Sequence, residues 1–353
     1  MQMLSTICNI ATSLLCTEFL PTSTRHTTFV RLSCTFPYQG LWYPYYMTHD
    51  RDVAPPRYRA RFAPSPTGPL HFGSLVAAVR SYLDAKSCQG EWLVRIENLD
   101  SVREVTGASQ EILDTLESLG MEWDGKVVYQ DRHHDTYQSA LTLLKQQGLV
   151  YPCTCSRKEI ADSGISGRDG AVYPGTCRDG LSDPRHSASI RVRTHDDPIK
   201  FRDSLFGLVQ QQLTSATGDF VLRRADGIYA YQLAGVVDDA AQGITHVVRG
   251  ADLLDSTPRQ IYLQHLLGYL TPIYMHLPLV TNTQGEKLSK QTQAAAIDLT
   301  QPIMQLVAAV KFLGQNPPAT LVKGRLESFW QWSIENWSPQ KIPLRSPYPP
   351  NEE

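Results

Sequence analysis

The stretch Arg61-Phe-Ala-Pro-Ser-Pro-Thr-Gly-Pro-Leu-His-Phe-Gly-Ser74 constrains this chain more than any other. Just before and into it, Tyr58, Ala60 and Phe62 alternate with Arg59 and Arg61, which is the period of a strand. Behind it, Leu75, Val76, Val79 and Leu83 share one face of a helix. Pro64, Pro66, Pro69 and Gly68 exclude regular structure between the two and predict a stiff turn. A strand that runs through a rigid loop into a helix is the opening unit of an α/β sheet. The helix N-terminus offers unpaired N–H groups and a partial positive charge, which suit a phosphate. His71 stands just before that terminus.

The next segments extend the unit. Residues 91–98 read as a strand, with Trp92, Val94 and Ile96 on one face and Leu93, Arg95 and Glu97 on the other. Strand, helix, strand makes a parallel crossover, so Arg61 and Glu97 end neighbouring strands. Ligands of open α/β sheets bind outside those carboxyl ends. A charged helix with Ile112, Leu116 and Leu119 ends at Gly120, a short strand follows over 127–129, and a helix is predicted over 135–147. Further on, Ile190 and Val192 alternate, and Asp226-Gly227 marks a hairpin. Residues 232–241 read as helix, 244–249 as a strand ending at Arg249, and 275–280 as an apolar strand. Thr257-Pro258 is expected to cap and start a helix through Leu267. The pattern over 302–313 is helical. The aromatics of the last amphipathic segment, Phe329, Trp330 and Trp337, are expected in the core.

Between the halves the pattern breaks. Cys153 and Cys155 are one residue apart and Cys177 follows in a later turn, a spacing able to wrap a tetrahedral ion. Zinc takes four ligands in a closed structural site, and Tyr173, His186 or Asp179 could supply the fourth. Arg157, Lys158, Arg168, Arg178, Arg185, Arg191 and Arg193 make this segment locally basic and a candidate RNA surface. The net charge of −2 excludes a global basic coat. No apolar run is long enough to span a bilayer. The seven cysteines do not form a disulfide framework and suit a reducing cytoplasm. A second loop, Gly285-Glu-Lys-Leu-Ser-Lys-Gln291, carries two lysines suited to a leaving pyrophosphate.

Taken in order, the two loops resemble the paired signatures of class I aminoacyl-tRNA synthetases. His71-Phe72-Gly73-Ser74 resembles the HIGH motif, Lys287 to Gln291 resembles KMSKS, and the leading Arg61-to-Gly68 string is that of the glutamyl branch. With Cys-x-Cys…Tyr-x-x-x-Cys and little chain after Gln291, the sequence is similar to the glutamyl-Q tRNA(Asp) synthetase family. The resemblance spans about Tyr58 to Gly314. It implies a Rossmann-like, doubly wound parallel sheet with a zinc-binding insertion, a short helical C-terminal region and no anticodon-binding domain. The expected divisions are a disordered or artefactual extension over 1–56, catalytic halves at 57–150 and 189–300, the insertion at 151–188, and a helical region with tail at 301–353.

The resemblance also implies roles. Arg61, Phe62, Ala63, Pro64 and Ser65 line a glutamate pocket, with Glu97, Tyr231 and Arg249 as further contacts. His71, Gly73, Ser74 and Lys290 contact ATP, and His71, Lys287 and Lys290 serve catalysis. Cys153, Cys155, Tyr173 and Cys177 hold one structural Zn²⁺. ATP enters as a substrate with Mg²⁺, and the partners are L-glutamate and tRNA(Asp) bearing queuosine. A cytoplasmic monomer is expected. Ser74 replaces the last HIGH histidine and Gln291 the last KMSKS serine, which removes one phosphate contact. Rival readings are a synthetase charging a tRNA 3′ end, a small-molecule nucleotidyltransferase of the same superfamily and a non-catalytic RNA-binding paralogue.

Overall fold

The alternation around Ala60 becomes β1 (Arg59–Phe62), the middle strand of the sheet on which the rest is built. A computed structural model of the chain describes residues 57–167, 170–181, 187–280 and 295–344. The expected extension at 1–56 and the end of the tail from 345 lie outside the described residues. After β1 come α1 (Phe72–Ser87), β2 (Glu91–Ile96), α2 (Ala108–Ser118), β3 (Val128–Tyr129) and α3 (His134–Gln146). The next stretch holds β4 (Val150–Cys153), α4 (Arg157–Asp162), β5 (Ser166–Gly167) and β6 (Gly170–Ala171). It continues with β7 (Ser189–Val192), β8 (Ile199–Asp203), β9 (Gly207–Gln211), α5 (Leu213–Ala216) and β10 (Val221–Arg223). The last part holds α6 (Tyr231–Ala241), β11 (His246–Gly250), α7 (Thr257–Leu267), β12 (Ile273–Leu277), α8 (Pro302–Phe312) and α9 (Leu326–Glu335).

The central sheet has the order β12-β11-β1-β2-β3, with every neighbouring pair parallel. The strand order reverses between β1 and β11, as in a doubly wound fold. Both faces are covered, as a parallel sheet requires. Trp92, Val94 and Ile96 pack with residues of α1, α2, α8 and α9 in one core. On the other face Leu93 packs against a second core holding Tyr137, Leu233, Val247 and Leu263, from α3, α6, β11 and α7. Among the described residues of the span 189–300, only β11 and β12 join this sheet; β4, β7 and β10 make a separate antiparallel sheet, and β8 and β9 a hairpin.

The C-terminal aromatics lie in the core. Trp330 donates its Nε1–H to the Leu119 carbonyl at 2.8 Å, and its ring lies 4.7 Å from Tyr82. Trp337 donates to Asp84 at 2.8 Å, and Asp84 forms a buried pair with Arg80 inside α1. No helix among the described residues is long and apolar enough to cross a membrane.

Gln89 (φ 51°) is the left-handed residue that follows α1. Gly90 is required next to it, because a Cβ there would collide with the Tyr58 carbonyl oxygen. One local expectation changes: Thr257 does not cap α7. It is the first helical residue, Ser256 holds the cap position without a side-chain bond, and the Thr257 hydroxyl turns to Arg249 and His276 instead.

At the reversal point, His246 of β11 stacks on Tyr58 with ring centroids 3.8 Å apart. Burial, then the nearby Arg80 cation, depress its pKa to about 4 from 6.5. The unfolded chain takes up that proton near pH 6.5 and the folded chain refuses it until about 4, so this residue removes stability as pH falls through that interval. The ring keeps a partly exposed edge, so the loss is on the order of 1–3 kcal/mol. His246→Phe should flatten the pH dependence of the urea midpoint between those values by about one proton. An unchanged slope would show that His246 titrates normally.

Candidate active site

Sheet register explains how the site is assembled. Arg61 of β1 lies opposite Leu93 of β2, and Ala60 opposite His246 of β11. Because side chains alternate, Arg61, Arg95, Glu97 and Arg249 then project from the same face, the one covered by α6. Phe62 projects from the other, stacked on Trp92 at 6.3 Å. Its ring therefore belongs to the core, and only its backbone is available to a ligand. Ala63 and Pro64 are half-buried at the strand end, where the Pro64 carbonyl accepts the Glu97 N–H at 2.9 Å; Ser65 is exposed.

A buried ion network holds these residues. Arg61 donates Nε–H to Asp239 of α6 at 3.0 Å, and Arg95 reaches the same oxygen at 2.8 Å. No partner is found among the described residues for the two terminal nitrogens of Arg61. Arg95 also contacts Glu97 at 3.2 Å and Gln242 at 2.6 Å. Burial would lower the Arg95 pKa, but the carboxylates of Asp239, Glu97 and Asp238 outweigh it and hold the cation above its ordinary value. Burial would raise Asp239, yet Arg61 and Arg95 hold it below the usual carboxylate range. For Glu97 burial prevails over Arg95 and Arg61, and its pKa is raised. Next to Asp239, Asp238 accepts from Gln130, His133 and Tyr137, each at 2.7 Å.

A second network fixes Arg249 near the end of β11. Its Nη1 donates to the Tyr231 hydroxyl at 3.0 Å, its Nη2 to Thr257 at 2.7 Å and its Nε to His276 Nε2 at 3.1 Å. An arginine only donates, so His276 Nε2 accepts, and the ring proton sits on Nδ1, which faces Asp203 at 2.7 Å. Burial lowers the His276 pKa, with Asp203 opposing and Arg249 assisting, which keeps the imidazole neutral for this purpose.

On the opposite face, His71 is the N-cap of α1. Its Nδ1 accepts the Ser74 N–H at 3.4 Å and its Nε2 lies 3.2 Å from Ser74 Oγ. Gly73 permits this: a Cβ there would stand 3.1 Å from the His71 ring and 3.9 Å from Val280. Ala296 bridges to His71, and Ile297 donates to the Leu70 carbonyl at 3.1 Å. The described residues on both sides of 281–294 therefore reach the His71 turn. Lys287 and Lys290 lie outside the described residues.

In the insertion, the Sγ atoms of Cys153, Cys155 and Cys177 lie within 4.8 Å of one another. Cys155 and Cys177 are 3.6 Å apart, close to the roughly 3.8 Å of two sulfurs bound tetrahedrally at 2.3 Å to one ion. The Tyr173 hydroxyl is 3.3 Å from Cys153 Sγ and accepts the Cys177 N–H at 2.8 Å. Burial, then the neighbouring thiols, push the Cys155 pKa up to about 11, a crowding that a cation would relieve. The donor set fits zinc. Of the other fourth-ligand candidates, Asp179 is exposed and His186 lies outside the described residues.

Asp238, Asp239, Arg95, His276 and Asp203 were not read from the sequence as parts of the site. One signal was present: adjacent aspartates inside the apolar helix Leu233-Ala-Gly-Val-Val-Asp-Asp239. A cavity of about 460 Å³ lies beside α2 and is lined by none of the expected site residues.

Residues 57–320 match the family of tRNA synthetases class I (E and Q), catalytic domain. The chain is similar to the glutamyl-Q tRNA(Asp) synthetase of Dechloromonas aromatica, with 56% identity covering 82% of this chain and 97% of that one. It is 55% identical to the protein of the same name from Aromatoleum aromaticum, covering 83% and 92%. Among solved structures, a glutamate tRNA ligase from Elizabethkingia meningosepticum shares the fold, with a TM-score of 0.69 at 24% identity, covering 81% of this chain and 66% of that one. The chain is a ligase that belongs to the class I aminoacyl-tRNA synthetases and, within them, to the glutamyl-Q tRNA(Asp) synthetase family.

Proposed function

We propose that this enzyme activates L-glutamate with ATP in the absence of tRNA and transfers it to queuosine in the anticodon of tRNA(Asp). What supports the reading is two arginines held by buried partners near the carboxyl ends of β1 and β11, with His71 capping the helix that follows β1. Arg61, gripped at Nε by Asp239, presents its terminal nitrogens to the side-chain carboxylate of glutamate. Glu97 and the Tyr231 hydroxyl take the α-ammonium group, and Arg249 is a second carboxylate contact. His71, Gly73 and Ser74 receive the ATP phosphates at the N-terminus of α1. Lys287 and Lys290 neutralise the leaving pyrophosphate.

The reaction needs no protein nucleophile. The α-carboxylate oxygen of glutamate attacks the α-phosphorus of ATP, and pyrophosphate departs. A ring hydroxyl of queuosine then attacks the carbonyl of the mixed anhydride, an ester forms, AMP leaves and the hydroxyl proton passes to solvent. Catalysis consists of holding the two reactants in line and neutralising charge on the phosphates. Mg²⁺ arrives with ATP and shields its phosphates. Cys153, Cys155, Cys177 and Tyr173 would hold zinc, which would fasten a segment whose own core is only a few side chains.

Glutamate-dependent ATP–pyrophosphate exchange should proceed without any tRNA, and nucleoside mass analysis should then find glutamate on queuosine of tRNA(Asp). Exchange that requires tRNA would favour the 3′-charging reading. Arg61→Lys, which loses the planar fork and the Asp239 bond, should raise KM for glutamate by about 10- to 100-fold with KM for ATP little changed. Equal effects on both would remove Arg61 from the amino-acid pocket. Elemental analysis should give about one zinc per chain. Cys155→Ser should lower that content and the melting temperature, and a full zinc complement in the variant would exclude Cys155 as a ligand.

A further inference from the structure

Two of the arginines that make the insertion locally basic are engaged by the backbone. Arg178 donates to the Thr194 carbonyl at 2.7 Å, and Arg193 donates to the Arg178 carbonyl at 2.6 Å while its guanidinium lies over Tyr151. Both serve the fold. Arg157, Arg191 and Arg259 line a cavity of about 240 Å³ together with Tyr173 and Thr217, with no carboxylate in the lining.

Arg191 is the fixed member of this group. It is 7% exposed, its Nη1 donates to the Asp219 carbonyl at 2.7 Å, and its guanidinium lies 3.9 Å over the Tyr173 ring. Its Nε is buried with no hydrogen-bond partner among the described residues. An unmet donor on a buried cation costs free energy unless an acceptor fills the space. Arg157 is the exposed first residue of α4, and Arg259 stands two residues after Thr257, which holds Arg249. The cavity thus shares α7 with the proposed glutamate pocket.

We propose that this cavity binds a phosphodiester of the substrate RNA backbone, with Arg191 as the rigid contact and Arg157 and Arg259 closing over it. The cavity and Arg249 are linked through α7, which supplies Arg259 to the one and Thr257 to the other. The site deepens the function proposed above and rests on that reading only in taking RNA as the polyanion.

The test measures binding of bulk tRNA, in which a wrong assignment of the receiving tRNA would not hide the effect. Affinity is followed against salt concentration for the wild type, Arg157→Gln and Arg259→Gln, with tRNA-free ATP–pyrophosphate exchange as the check on folding. Each variant should bind about tenfold more weakly, with the salt slope smaller in magnitude by about 1 and exchange retained. Unchanged affinity and slope in both variants would overturn the proposal. In a parallel arm, inorganic phosphate is titrated by ³¹P NMR. Phosphate binding that Arg157→Gln weakens, with RNA affinity unaltered, would assign the cavity to a free ion and likewise overturn the RNA assignment. Failure of glutamate transfer to queuosine with the tRNA effects intact would remove the acceptor assignment alone.

Discussion

Two neighbouring carboxylates on one helix govern the carboxyl edge of the sheet. Asp238 and Asp239 of α6 are buried, and each would be costly there without cations or donors around it. Asp239 takes Arg61 and Arg95; Asp238 takes a glutamine, a histidine and a tyrosine from the β3–α3 region. One turn of helix therefore ties together the ends of β1 and β2 and the entry to α3. The orientation of Arg61 follows from this arrangement, and so does the alignment of Glu97 through Arg95. Buried charge of this kind adds little net stability, but removing one partner strands the rest, so the geometry is held within narrow limits.

The two faces of the sheet contribute different chemistry. On the α6 and α7 side, cations are held by side chains from other elements. On the α1 side, a helix terminus and its histidine cap provide the pole that suits phosphate. The strand order reverses between β1 and β11, the connections leaving these strands depart to opposite faces, and ligands of doubly wound sheets bind at such a reversal.

Much of this was legible before any coordinates. The proline loop, the helix behind it and the alternation in 91–98 identified the opening unit, because local sterics and burial period determine such segments. The cysteine cluster was legible from spacing, and the aromatics at the chain's end from amphipathic pattern. What escaped was pairing across distance. Arg95 read as one charged residue on a strand face, and its three carboxylate neighbours come from residues 97, 238 and 239. His276 and Asp203 carried no signal, because a single histidine in an apolar strand is uninformative until its partner is known. For two arginines of the insertion the same holds: counting charges does not reveal that Arg178 and Arg193 are engaged by backbone carbonyls.

Asp203, at the end of β8, divides its two oxygens. One accepts the N–H groups of Leu205 and Phe206 and so shapes the hairpin turn; the other accepts both the backbone and the ring of His276. A turn that looks like ornament on the far side of β12 is thereby geared to the guanidinium of Arg249 by way of one imidazole. Lengthening that turn would reach the core as a displaced Arg249 guanidinium, with the surface loop itself little disturbed.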